Sequence, residues 1–118
     1  MLPKINRIAK QKDFDRFFGS AFKRARGRSA STPALILKAL PGATDQNRVA
    51  FVISNKVDNR AVVRNKLRRR LREALRGQLN KLTLKADLLF IAQKPLTQTD
   101  FAGSKNLVIS LLKKTNLL

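Results

Sequence analysis

The chain is short of acid: seven Asp and Glu stand against 26 Lys and Arg, and the net charge is +19. Self-repulsion of that size works against a compact state unless counter-ions or a partner neutralise it, so the first expectation is a polyanionic partner. Cysteine, histidine, tryptophan and tyrosine are absent altogether. Without cysteine there is no disulfide framework and no thiolate metal site, which fits a cytoplasmic protein. Histidine is the side chain on which metal-independent protein ribonucleases generally rely for proton transfer near neutral pH. Metal-dependent hydrolases gather carboxylates around two cations, yet the acids here are scattered at 13, 15, 45, 58, 73, 87 and 100. Asp13 and Asp15 are the only close pair, and on a helix they point about 200° apart. No self-sufficient hydrolytic site is visible, so chemistry associated with this chain belongs to a partner. No apolar run approaches the roughly 18 residues that span a bilayer, and Met1-Leu2-Pro3-Lys4 does not open a secretory signal. Nucleic acid is therefore preferred to a membrane.

What is present is enough for one domain over residues 1–118. A hydrophobic fraction of 43% is ordinary, and a chain of this length buries roughly two thirds of its unfolded surface. The organising stretch is Asn59 to Leu82, NRAVVRNKLRRRLREALRGQLNKL. At about 100° per residue, Val63, Leu67, Leu71, Ala74 and Leu75 share one third of a helix circumference. Arg68, Arg69, Arg72, Arg76 and Asn65 gather on the opposite side. Arg64 falls at the margin of the apolar arc and must sit near a helix end or reach sideways along its stem. Repulsion along Arg64, Arg68, Arg72 and Arg76 costs a few tenths of a kcal/mol per i,i+4 pair. Only Glu73 opposes this run, so a phosphate-bearing partner accounts for it better than a merely solvated face.

The rest of the chain supplies a small α/β frame. A polar, basic lead-in over residues 1–9, with Lys4 and Arg7, precedes a helix from about Lys12 to Phe22. That helix carries Phe14, Phe17, Phe18 and Phe22 at i, i+3, i+4 and i+8 on one face. Lys23 to Thr32, KRARGRSAST, reads as a basic surface loop. Strands are expected at Ala34–Leu40, Arg48–Ser54 and Lys85–Ala92, with a turn over Pro41–Gln46. Asp58 or Asn59 should cap the long helix, which runs to about Arg76. Gly77 ends or kinks it, with a weaker continuation to Leu82. Pro95 stops the last strand. A final helix, capped by Thr99 or Asp100, should run to about Lys114 and turn Leu107, Val108, Leu111 and Leu112 inward. These elements make a two-layer α/β sandwich, of α+β type, with a small mixed sheet. Handedness rules alone would draw the crossover through the basic helix right-handed.

The segment NKVDNRAVVRNKLRRRLREALR resembles the signature of the bacterial ribonuclease P protein subunit, whose helix carries an Arg-Asn-Arg core. The core reads Arg64-Asn65-Lys66 here, which keeps the charge at its third position but not the planar fork of an arginine. The family's Arg-Lys-Pro exit from the last strand reads Gln93-Lys94-Pro95. The resemblance covers nearly the whole chain and is strongest from Arg48 to Arg76. It implies a left-handed βαβ crossover of the ribosomal protein S5 domain 2-like kind. It also implies a role in the ribonucleoprotein that removes 5′ leaders from precursor tRNA, with the RNA subunit performing the hydrolysis on magnesium that the RNA mainly holds. The implied RNA-subunit face is Arg60, Arg64, Asn65, Lys66, Arg68, Arg69, Arg72 and Arg76. The implied leader cleft comprises Phe14, Phe18, Leu37, Lys56 and Lys94, while the helical spacing itself reads Phe17 and Phe22 as core. Aromatic side chains beside a basic surface suit stacking on single-stranded bases. The partners implied are the catalytic RNA and precursor tRNA, with no protein-bound metal, small-molecule substrate or membrane.

Two other readings compete. A structural RNA-binding protein of ribosomal type would share the charge and the mixed fold, although such proteins often carry long basic tails. A DNA-binding module would lay the Arg60–Arg76 helix in a major groove, but so many cations suit phosphates better than base edges.

Overall fold

The structure, a computed structural model, describes residues 7–8, 10–42 and 44–118. The first six residues of the expected lead-in, with Ala9 and Ala43, lie outside the described residues. The chain forms α1 (Gln11–Asp15), α2 (Gly19–Arg24), β1 (Arg28–Ser31), β2 (Leu35–Pro41), β3 (Arg48–Val52), α3 (Ala61–Arg76), β4 (Ala86–Ala92) and α4 (Phe101–Lys114). Short 3-10 turns at Leu79–Lys81 and Lys94–Gln98 flank β4. No described helix is long and apolar enough to cross a membrane.

The four strands lie in the order β1-β2-β4-β3, with β1, β2 and β4 antiparallel in turn and β3 parallel to β4. Parallel neighbours need a crossover, and α3 supplies it. Six of the seven β4 residues are buried, the continuous apolar run of a strand covered on both faces. On one face Leu35, Leu37, Leu88 and Phe90 meet Leu67, Leu71 and Leu75 of α3 and Val108, Leu111 and Leu112 of α4. This is the expected sandwich. Among the described residues the opposite face is covered at one end, where Phe17 packs on Leu40 and Leu89 with Phe14 and Phe22 around it.

Three sequence expectations change. The helix drawn from Lys12 to Phe22 is broken: Phe18 is extended (φ −125°, ψ 154°) and Gly19 lies at φ +65°. Glycine enters that left-handed region without a Cβ penalty, and the break lets Phe17 point into the sheet while Phe18 points out. The stretch expected as a loop contains β1, a polar edge strand whose ladder with β2 stands in for the missing hydrophobic alternation. The residue capping α3 is Arg60, with no side-chain cap. Asp58 accepts instead from the Arg60 N–H at 2.9 Å and from its guanidinium at 2.9 and 3.0 Å. Those bonds pull the Asp58 carboxyl down to about 2, so their contribution is present above the unfolded carboxyl range and is lost as pH falls toward 2. Gly77 does end α3, in right-handed rather than left-handed geometry. Asp100 caps α4 through a 2.7 Å bond from the Gly103 N–H.

One buried polar group ties the N-terminal helices to the sheet. Asp87, 1% exposed, accepts from Arg48 Nη2 at 2.8 Å and Nε at 3.0 Å, and from Arg16 Nη1 at 3.0 Å. Arg48 Nη1 also reaches Asp13 at 3.2 Å. The Asp87 carboxylate, and secondarily that of Asp13, hold the Arg48 guanidinium still more firmly protonated than usual. Asp13 and Asp87, 74 residues apart in sequence, are thus joined through arginine in a part-buried cluster that also orients α1.

Candidate nucleic-acid interface

The amphipathic reading of α3 holds at the level of side chains. Leu67, Leu71, Ala74 and Leu75 are buried, while Lys66, Arg69 and Arg76 are exposed. Arg76 sits 3.7 Å from Glu73, an exposed pair worth a few tenths of a kcal/mol. Arg64, at the margin of the arc, reaches sideways as its position requires and donates from Nη1 to the Asp58 carbonyl at 3.0 Å. Asn65 accepts from Arg68 at 3.1 Å, which orients that guanidinium. Arg70 was not assigned to the basic face, and it donates to the Thr99 carbonyl at 2.6 Å, fixing α3 against the start of α4. Burial, then the charges of Arg68 and Arg7, hold Arg72 below the ordinary arginine value.

The uncovered end of the sheet's other face forms a second surface. Phe18 is 43% exposed, and its ring lies 5.7 Å from that of half-buried Phe14. Phe17 is fully buried. The residues between these rings and the strands differ from the sequence expectation. Leu37, placed in the cleft by resemblance, is 0% exposed and lies under α3 and α4. Strand residues alternate between faces, so Leu35 and Leu37 both point the wrong way and Lys38 points into the cleft. Its Nζ stands 4.6 Å from the Phe18 centroid and 5.3 Å from that of Phe22, and donates to the Phe17 carbonyl at 3.1 Å. The sequence contained the signal, since one lysine inside ALILKAL marks the strand's solvent face. Beyond Lys38 the next row is half-buried and apolar: Ile36, Ile91 and Val52. Lys56 and Lys94 are exposed and line a single depression with residues 55–60 at the carboxyl ends of β3 and β4.

The two surfaces meet. Phe14 of the aromatic edge shares a cavity of about 230 Å3 with Arg68 and Arg72 of the basic helix. Cations along one wall, the half-buried Phe14 and Phe51 rings along the other and the exposed Phe18 ring beside Phe14 suit a single-stranded polyanion whose bases stack and whose phosphates pair.

The chain is similar to known proteins over almost its whole length. The ribonuclease P family profile matches residues 2–116. A ribonuclease P protein component of Clostridium botulinum is 33% identical over 115 residues, covering 97% of each chain. That of Alkaliphilus oremlandii is 29% identical over 114 residues, covering 97% of this chain and 94% of its own. The ribonuclease P protein of Staphylococcus aureus superposes with a TM-score of 0.80 at 26% identity, covering 95% of this chain and 96% of its own. That of Thermotoga maritima gives 0.75 at 26% identity, covering 92% and 96%. A profile matched almost from end to end, and a relative one third identical over the same span, leave one assignment: the chain belongs to the ribonuclease P protein family.

Proposed function

We propose that this chain assists a catalytic RNA in the endonucleolytic removal of the 5′ leader from precursor tRNA. The observation that carries the reading is the contact of Phe14 with the cavity that Arg68 and Arg72 line, which makes the basic helix and the aromatic edge one continuous surface. On this reading the α3 face, Arg60, Arg64, Asn65, Lys66, Arg68, Arg69, Arg72 and Arg76, binds the RNA subunit through its phosphates. The leader lies over Phe14, Phe18 and Lys38 toward Lys56 and Lys94. The protein binds and orients, and the RNA subunit performs the hydrolysis with magnesium. The acids that the fold brings together do not suit a divalent cation, since Asp13 and Asp87 are bonded to Arg48 and Asp58 to Arg60. On this reading the magnesium is held mainly by the RNA subunit. The working compartment is the cytoplasm, with nucleic acid rather than membrane or small molecule as partner.

Mixing the protein with a bacterial ribonuclease P RNA and precursor tRNA at low magnesium should give leader cleavage that neither component gives alone. Magnesium-dependent cleavage by RNA-free protein that co-elutes with the folded monomer would contradict the reading, as would an RNA that the protein does not stimulate. The α3 arm has its own readout. Lys66 and Arg69 are exposed, so Lys66→Ala and Arg69→Ala should leave the melting temperature unchanged. Each should also make the dependence of log affinity for the RNA subunit on log salt shallower by roughly one. An unchanged slope would mean that this face is only solvated.

A further inference from the structure

Arg7, Arg68 and Arg72 converge on the 230 Å3 cavity from two separate elements. Arg7 arrives on the N-terminal segment, which is pinned to the sheet edge by a parallel bridge to Val49 and by the Ile8 N–H donating to the Val49 carbonyl at 3.0 Å. Arg68 and Arg72 stand one turn apart on α3. Ile8, Phe14 and Phe51 make the apolar walls. Among the described residues no carboxylate lines the cavity, because Asp13 is engaged by Arg48 and Glu73 lies beside Arg76. Neither the Arg7 nor the Arg72 side chain makes a hydrogen bond or ion pair among the described residues. Three like charges around one cavity repel one another, and a bound anion would turn that repulsion into attraction. The volume is an order of magnitude above the ~10–15 Å3 that admits one water. The donors are guanidiniums, whose forks match phosphate oxygens.

We infer that this cavity is a site for one RNA backbone phosphate, held by Arg7, Arg68 and Arg72, with the adjoining ribose or base against Phe14 and Phe51. The inference rests on the proposed RNA-binding role and adds to it Arg7, a residue of neither α3 nor the aromatic edge. Lying between the two surfaces, the site accepts a phosphate either from the catalytic RNA or from the single-stranded leader.

The test compares wild type, Arg7→Ala and Lys105→Ala, the last removing the same charge from an exposed position on α4. Two quantities are measured across a salt series. The first is the affinity of the protein for ribonuclease P RNA alone. The second is the ratio of precursor to mature tRNA affinity in the reconstituted holoenzyme. Arg7→Ala should lose about tenfold in one of them, with a log–log salt slope shallower by roughly 0.7 to 0.9. Loss in the first assigns the phosphate to the catalytic RNA; loss confined to the second assigns it to the leader. Arg7→Lys should recover the slope but not the full affinity, and Lys105→Ala should stay within about twofold of wild type. Arg72→Gln keeps the half-buried stem and should reproduce the loss independently. If Arg7→Ala matches Lys105→Ala in both arms while wild type binds, the phosphate site is wrong. If wild type binds neither RNA, the functional reading falls and the site with it.

Discussion

Phe17→Ala is expected to lose about 3–5 kcal/mol of stability, whereas Phe18→Ala should melt close to the parent. The two rings are neighbours in sequence and opposites in environment. Phe17 is fully buried against Leu40 and Leu89, and truncation leaves a cavity that a β-sheet floor cannot collapse to fill. Phe18 is 43% exposed, with the Phe14 ring 5.7 Å away and a cation–π contact with Lys38, the latter worth about 0.5–1 kcal/mol at such a site. Its larger effect should fall on binding. Losing one stacked base costs about 1–3 kcal/mol, so affinity for precursor tRNA with a leader of several nucleotides should drop while that for mature tRNA stays level. Phe14→Ala should do the same more weakly, since its ring is half-buried. Thermal melts of each variant, read beside the precursor-to-mature affinity ratio, decide the matter. Equal melting losses for Phe17→Ala and Phe18→Ala would make both rings core and leave the leader surface elsewhere.

Asp87→Ala should cost about 3 kcal/mol. Removing one partner of a buried ion pair typically costs about 3–5 kcal/mol, and the lower end applies because the Arg48 side chain keeps 13% of its exposure and Arg16 31%. The penalty is chiefly that of leaving the Arg48 guanidinium half-buried with Asp13 as its remaining carboxylate. Replacing both partners together, Arg48→Met with Asp87→Leu, should therefore recover most of the loss. Because Arg16 and Asp13 belong to the same cluster, Asp87→Ala should also loosen α1 and lower the leader-dependent part of tRNA affinity. Denaturant unfolding of the single and double variants measures the coupling directly. Additive losses would show that the cluster is not a unit.

Much of the frame was legible because its signals are local and repeat with the period of the element. The face of α3, its end at Gly77 and the inward side of α4 all follow from 3.6-residue spacing. Strands β2, β3 and β4 follow from short β-branched and apolar runs bounded by turn residues. β1 was not legible, because an edge strand such as Arg28–Ser31 has one ladder and no buried face to impose alternation. The break at Gly19 was hidden for a related reason. Four phenylalanines at helical spacing read as one face, and only the depth of the sheet under Phe17 shows that a continuous helix could not serve both buried and open rings.

The sequence by itself determined the excess of positive charge and the cationic face of one helix. Charge excess and periodicity are one-dimensional quantities and survive without a fold. Only the tertiary structure decided which residues stand together. Strand parity put Lys38 rather than Leu37 into the cleft. The pairing of β3 with β4 brought Arg48 onto Asp87, and a bridge at the sheet edge carried Arg7 to the cavity of Arg68 and Arg72. Those juxtapositions join residues tens of positions apart, and their physical cause is the hydrogen-bonded register of the strands, which no local pattern encodes.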